Sequence, residues 1–109
     1  MFKIDQNPTF TRRVEIKVPA DGGHDLQDLS VTFRVLTDEE VEAFDMRTAQ
    51  GERDFLSAVI TELDDIEDGH GTALPYSDAL RDRLIGLAYV RVACINSYYA
   101  ALMGQKVKN

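Results

Sequence analysis

The chain has 109 residues, 44% of them apolar, which is one domain's length with material for one modest core. Its apolar runs break well before the roughly 18 positions of a bilayer span, and MFKIDQNPTF lacks a signal peptide's apolar region, so a soluble intracellular protein without membrane contact is expected. The net charge of −7 is uneven: residues 1–36 carry five basic and five acidic side chains, residues 37–83 four and fourteen, and residues 84–109 three and none, a distribution that repels phosphate backbones and argues against nucleic acid.

Thr11 to Val18 reads TRRVEIKV, with Val14, Ile16 and Val18 apolar and Arg13, Glu15 and Lys17 polar, the period of a half-buried strand. LSVTFRV repeats the pattern, with Leu29, Val31, Phe33 and Val35 on one face. The intervening PADGGHDLQD holds the residues that turn a chain, so the two runs form a β-hairpin with one apolar face. Two strands alone are marginal in water, and that face requires a cover.

The period changes after Leu36. Thr37-Asp38-Glu39-Glu40 is a T-x-x-E capping box opening a helix, with Val41 and Phe44 as a short apolar stripe. After a break expected around Gly51, Phe55, Leu56, Val59, Ile60, Leu63 and Ile66 fall within an arc of about 140° on a helical wheel, opposite Ser57, Thr61, Asp64 and Asp65. This predicts a second helix ended by Gly69 and Gly71. Ser77, after Pro75, is the expected N-cap of a third helix through Leu80, Leu84, Ile85 and Leu87. The last segment, YVRVACINSYYAALMGQ, is apolar nearly all round, interrupted by Arg91, Asn96 and Ser97, and closed by Gly104. Such a helix is central to the core or offers a second apolar surface to a partner, and central packing is the expectation.

The expected fold class is therefore α+β, an N-terminal antiparallel β-hairpin over about 11–36 packed against three to four α-helices within about 38–104. A short basic tail at 105–109 completes one domain, 1–109.

The stretch LDDIEDGHGTALPYSDAL, Leu63 to Leu80, collects carboxylates around a histidine and invites a metal or catalytic reading. With Gly69 at position 6 of a calcium loop, Asp64 and Asp68 take positions 1 and 5, but Ile66 falls at 3 and Pro75 at 12, where carboxylates are needed. His24 and His70 are the only histidines, and Cys94, among Val92, Ala93 and Ile95, is the only cysteine, so neither a zinc set nor a disulfide is expected. Ser77 follows His70 by seven residues without a nucleophile-elbow motif, and phosphate-binding glycine motifs are absent. The expectation is no enzyme, no catalytic or metal-binding residue and no cofactor, with the stretch serving as a helix-helix connector.

FKIDQNPTF, VEIKVPADGG, FRVLTDEEVEAFD, DGHGTALPYSDALRDRL and YVRVACINSYYAAL, in this order along nearly the whole chain, resemble the small tail assembly chaperones of long-tailed phages and prophages. The resemblance implies a non-enzymatic protein of the bacterial host cytoplasm that binds the tape-measure protein, keeps it soluble, helps recruit tail-tube subunits and leaves before the particle is finished. Similar proteins often carry a tryptophan near the end of the second helix, where this chain has Leu63 and no tryptophan at all. Phe44, Tyr89, Tyr98 and Tyr99 are the candidate protein-binding anchors, Tyr98 and Tyr99 pointing in different directions. A structural tail or neck subunit retained in the virion, a metal-dependent enzyme built on 63–80, and self-association remain alternatives.

Overall fold

The computed structural model describes residues 1–105. The alternating segments form two long antiparallel strands, β1 (Thr9–Ala20) and β2 (Gly23–Arg34), in register from Thr9 opposite Arg34 to Ala20 opposite Gly23. The chain reverses through Asp21 and Gly22, whose φ of 77° is left-handed backbone that glycine adopts without steric cost. The strands therefore run further into PADGGHDLQD than its turn-forming composition implied. Val14, Ile16, Leu29, Val31 and Phe33 are buried on one face, as alternation required. The other face is polar, and Thr11 and Thr32, directly opposite, hydrogen-bond through their hydroxyls at 2.9 Å. Val35 departs from the expected row: β2 ends at Arg34, the Val35 N–H donates to the Pro8 carbonyl, and Leu36 takes the buried place.

A third strand joins this sheet. The helix expected to run through Phe55 to Ile66 stops at Val59, and Ile60–Asp64 continues as β3, antiparallel to β2, giving the order β1-β2-β3. A bulge explains why it reads as helix. Val31 faces Leu63 and Thr32 faces Glu62, but Phe33 faces Ile60, so Thr61 is an extra residue. The bulge resets the alternation and places Ile60 and Leu63, three apart, both in the core. Spacing by three is otherwise a helix signature. The β-branched run Val59-Ile60-Thr61 suits the strand.

The helices follow from their caps. Thr37 Oγ1 accepts from the Glu40 N–H at 3.3 Å while Glu40 Oε1 accepts from the Thr37 N–H at 3.1 Å, so the capping box opens α1 (Asp38–Val41) as expected. These bonds hold the Glu40 carboxyl below its usual range. α2 (Ala49–Val59) begins at Thr48, whose hydroxyl accepts from the Gly51 N–H at 2.9 Å. Gly51 thus lies inside the first turn of α2, and the break expected at it falls earlier, between α1 and Thr48. α3 (Asp78–Ile85) is capped by Ser77 through the Leu80 N–H at 3.0 Å, and Gly86 ends it before Leu87. α4 (Ala88–Leu102) leaves α3 at 103° and closes at Gly104, φ 68°. No single described helix is long and apolar enough to cross a membrane.

α4 packs on β1, α2 and α3, covering the sheet's apolar face. At the centre Tyr98, fully buried, makes edge contacts with Phe33 and Phe55 at 5.7 and 5.2 Å between ring centroids. Its hydroxyl accepts a 3.1 Å hydrogen bond from the Leu36 N–H, tying the exit of β2 to α4. Arg91, 8% exposed, donates from Nε to Glu52 Oε1 at 3.2 Å and from a terminal nitrogen to the Ile85 carbonyl at 3.0 Å, joining α4 to α2 and to the end of α3. The outcome among the described residues is α+β, a three-stranded antiparallel sheet with four helices. The hairpin end over residues 19–28 is exposed throughout, and the longest dimension reaches 46 Å. The expected basic tail lies, from Lys106 on, outside the described residues.

Candidate functional site

The stretch from Leu63 to Leu80 connects strand to helix, which corrects the helix-helix connector expected there. Asp64 ends β3, and Asp65 turns the chain in the left-handed region at φ 62°, a conformation aspartate tolerates better than most residues. The Asp65 carboxylate pairs with Arg13, which also reaches Asp28 at 3.1 Å, and these two bonds raise the guanidinium pKa further above its ordinary value. Asp68 then organises the loop. Its Oδ1 accepts from the N–H groups of His70 and Thr72 at 2.8 and 3.0 Å, and Glu67 bridges Ala73 in antiparallel fashion. Asp65 and Asp68 of the DDIED run therefore serve an ion pair and a turn. Among the described residues no three His, Cys, Asp or Glu side chains converge as metal ligands.

The four candidate anchors separate. Phe44 is half-buried, its ring set edge-on against Phe55 at 6.0 Å. Tyr98 is a core residue with no exposed surface, so it cannot be an exposed anchor. Tyr89 is half-buried and lines a groove between β1 and α4 of about 610 Å³, shared with Arg12, Glu15, Lys17 and Asn96. In that groove Glu15 Oε1 is buried without a hydrogen-bond partner among the described residues. Tyr99 is 38% exposed, stacked on Phe55 at 6.1 Å with the rings 5° apart.

Tyr99 belongs to a second concave surface, a cleft of about 310 Å³ between α1 and the last turn of α4. Beside Tyr99 it is lined by Leu36, Val41, Leu102 and Tyr98 and by the acidic residues Asp38 and Glu42, which are exposed. Partial burial, with smaller contributions from Tyr98 and Asp38, pushes the Tyr99 phenol pKa up, so it is a neutral hydrogen-bonding group at physiological pH. Leu102 is 44% exposed, and Met103 beside it 71%. Neither Asp38 nor Glu42 is in an ion pair with a described residue. By contrast Asp45, just after α1, is held by Arg47, which lowers its pKa.

The chain was compared with family models, curated proteins and solved structures, and none matches. α4 packs centrally, as expected, and also leaves apolar side chains exposed. Val90, Cys94, Ser97 and Tyr98 face inward, whereas Val92, Tyr99, Leu102 and Met103 are apolar and exposed. Sequence reasoning reached Tyr99 but not Leu102, Met103 or the carboxylates of Asp38 and Glu42. The available signal was the continuation of apolar residues into the last turn of α4, directly before the closing Gly104. Leu63 is 5% exposed and packs opposite Val31, so the position belongs to the core.

Proposed function

We propose that this protein is a non-enzymatic binding protein acting as a phage tail assembly chaperone, holding the tape-measure protein and helping bring tail-tube subunits to it in the host cytoplasm. The observation that carries the reading is the α1–α4 face. There Tyr99, Leu102 and Met103 stay exposed on a helix whose other side is the centre of the core. An apolar patch rimmed by charge is what a protein needs to mask an aggregation-prone partner and remain in solution itself. The resemblance implies the partner class, and the exposed apolar patch supports the reading that a partner binds here.

Co-expression with the tape-measure protein of the phage or prophage that encodes this chain tests the reading. The expected result is a soluble partner that co-purifies with the chain, from a background in which the partner alone is insoluble. Failure to co-purify, with no gain in solubility, contradicts it. Mass spectrometry of finished particles separates a departing chaperone from a structural subunit: stoichiometric presence in the virion contradicts the chaperone role.

A further inference from the structure

The geometry points to a basic amphipathic helix as the occupant of the α1–α4 cleft, with two apolar side chains between Val41 and Leu102 and Lys or Arg residues facing Asp38 and Glu42. This rests on the reading that the α1–α4 face is where a partner docks. Three observations select that chemistry. The cleft lies between two helices and offers no sheet edge for an added strand, whereas a groove of this kind receives apolar residues spaced i, i+3, i+4 and i+7. Its volume of about 310 Å³ is at the lower limit of the ~300–1,000 Å³ typical of small-molecule pockets, and its lining combines apolar Leu36, Val41 and Leu102 with two tyrosines and the carboxylates of Asp38 and Glu42, the mixture an amphipathic segment matches.

The third observation is charge. Asp38 and Glu42 have no ion-pair partner among the described residues, so cations from outside complement them. Exposed charges of this sort speed association and select partners of opposite sign. An acidic helix is repelled, and so is a nucleic-acid backbone. A second copy of this chain is a poor occupant: the arginines of α3 are set among its own carboxylates, with Arg81 paired to Asp78 and Asp82, and Arg53 of α2 lies between Glu52 and Asp54. Tyr99, fixed against Phe55, and the adjacent Leu102 give the site ordered apolar contacts before a partner arrives.

The test uses synthetic peptides of about 18 residues, long enough to form a helix: an amphipathic Leu/Lys helix, its Leu/Glu counterpart, and a Leu/Lys scramble without an apolar face. Amide shifts in the intact protein are followed during titration. The Leu/Lys helix is expected to move resonances in 38–42 and 99–103, and to bind about tenfold more weakly to Leu102→Asp. Its affinity should fall with added salt and be unchanged by Val92→Asp, at an exposed position outside the cleft. Should Leu102→Asp fail to fold, the double change Asp38→Asn and Glu42→Gln takes its place, with the same direction expected. Equal binding of the scramble, shifts scattered over the acidic surface, or indifference to both the Leu102 and the carboxylate substitutions would overturn the proposal. The peptides contain no phage sequence, so this experiment can succeed where co-expression fails, and the reverse.

Discussion

Gly51 shows how a single residue can be misread from its type alone. Glycine after an apolar stripe looks like a breaker, yet a Cβ built on Gly51 would stand 1.8 Å from the Asp45 carbonyl oxygen, and this close approach is what excludes every other side chain. Gly51→Ala is expected to cost about 3 kcal/mol, the upper range of overpacking, because backbone and not a flexible side chain must yield. Gly69→Ala, with no atom within 4 Å of the new Cβ, should be nearly neutral when both variants are unfolded in urea beside the wild type. Cys94 makes a second prediction at this scale. Burial pushes its thiol pKa from 9.0 up to about 12. A raised folded-state pKa means that the stabilisation is complete below pH 9 and is lost as pH rises from there toward about 12. Between pH 8 and pH 10 the wild type should lose about 1.4 kcal/mol more stability than Cys94→Ala, whose remaining titrating groups are the same.

Among elements, the hairpin was readable because its alternation is unbroken from Val14 to Ile16 and from Leu29 to Phe33, and α1 and α3 because Thr37 and Ser77 cap them. β3 was hidden for a definite reason. Its bulge at Thr61 converts a period of two into a spacing of three, and Phe55, Leu56 and Val59 immediately before it are truly helical, so the helical spacing carries on through the strand. The β-branched residues at 59–61 carried the contrary signal, but three residues weigh little against a long stripe. In solution, cross-strand nuclear Overhauser contacts between Val31 and Leu63 are expected; sequential helical contacts through 60–64 would refute the strand. Leu63→Ala should cost about 3 kcal/mol as a core truncation, while Thr61→Ala, at an exposed position, should cost well under 1. The candidate site was less legible than the fold. α4 is apolar nearly all round, so its wheel does not say which side meets the sheet, and only packing separates buried Tyr98 from exposed Tyr99.

At the scale of the whole molecule, helices cover one face of the sheet while the hairpin end over residues 19–28 stays exposed, and the radius of gyration of 14.5 Å exceeds the ~13 Å of a compact chain of this length. The α1–α4 cleft and the β1–α4 groove share α4, which lends residues to both. A helix so placed can present one apolar surface without opening the core, since Tyr98 is anchored by the Leu36 N–H and Arg91 by Glu52 and Ile85. The most direct test of the chaperone reading and of its site together is the soluble fraction of the proposed partner, a tape-measure protein, co-expressed with the wild type or with a folded Leu102→Asp variant. The account predicts a soluble, co-purifying partner with the wild type and a reduction of about tenfold with the variant. A partner that is insoluble with both, or equally soluble with both, would contradict it.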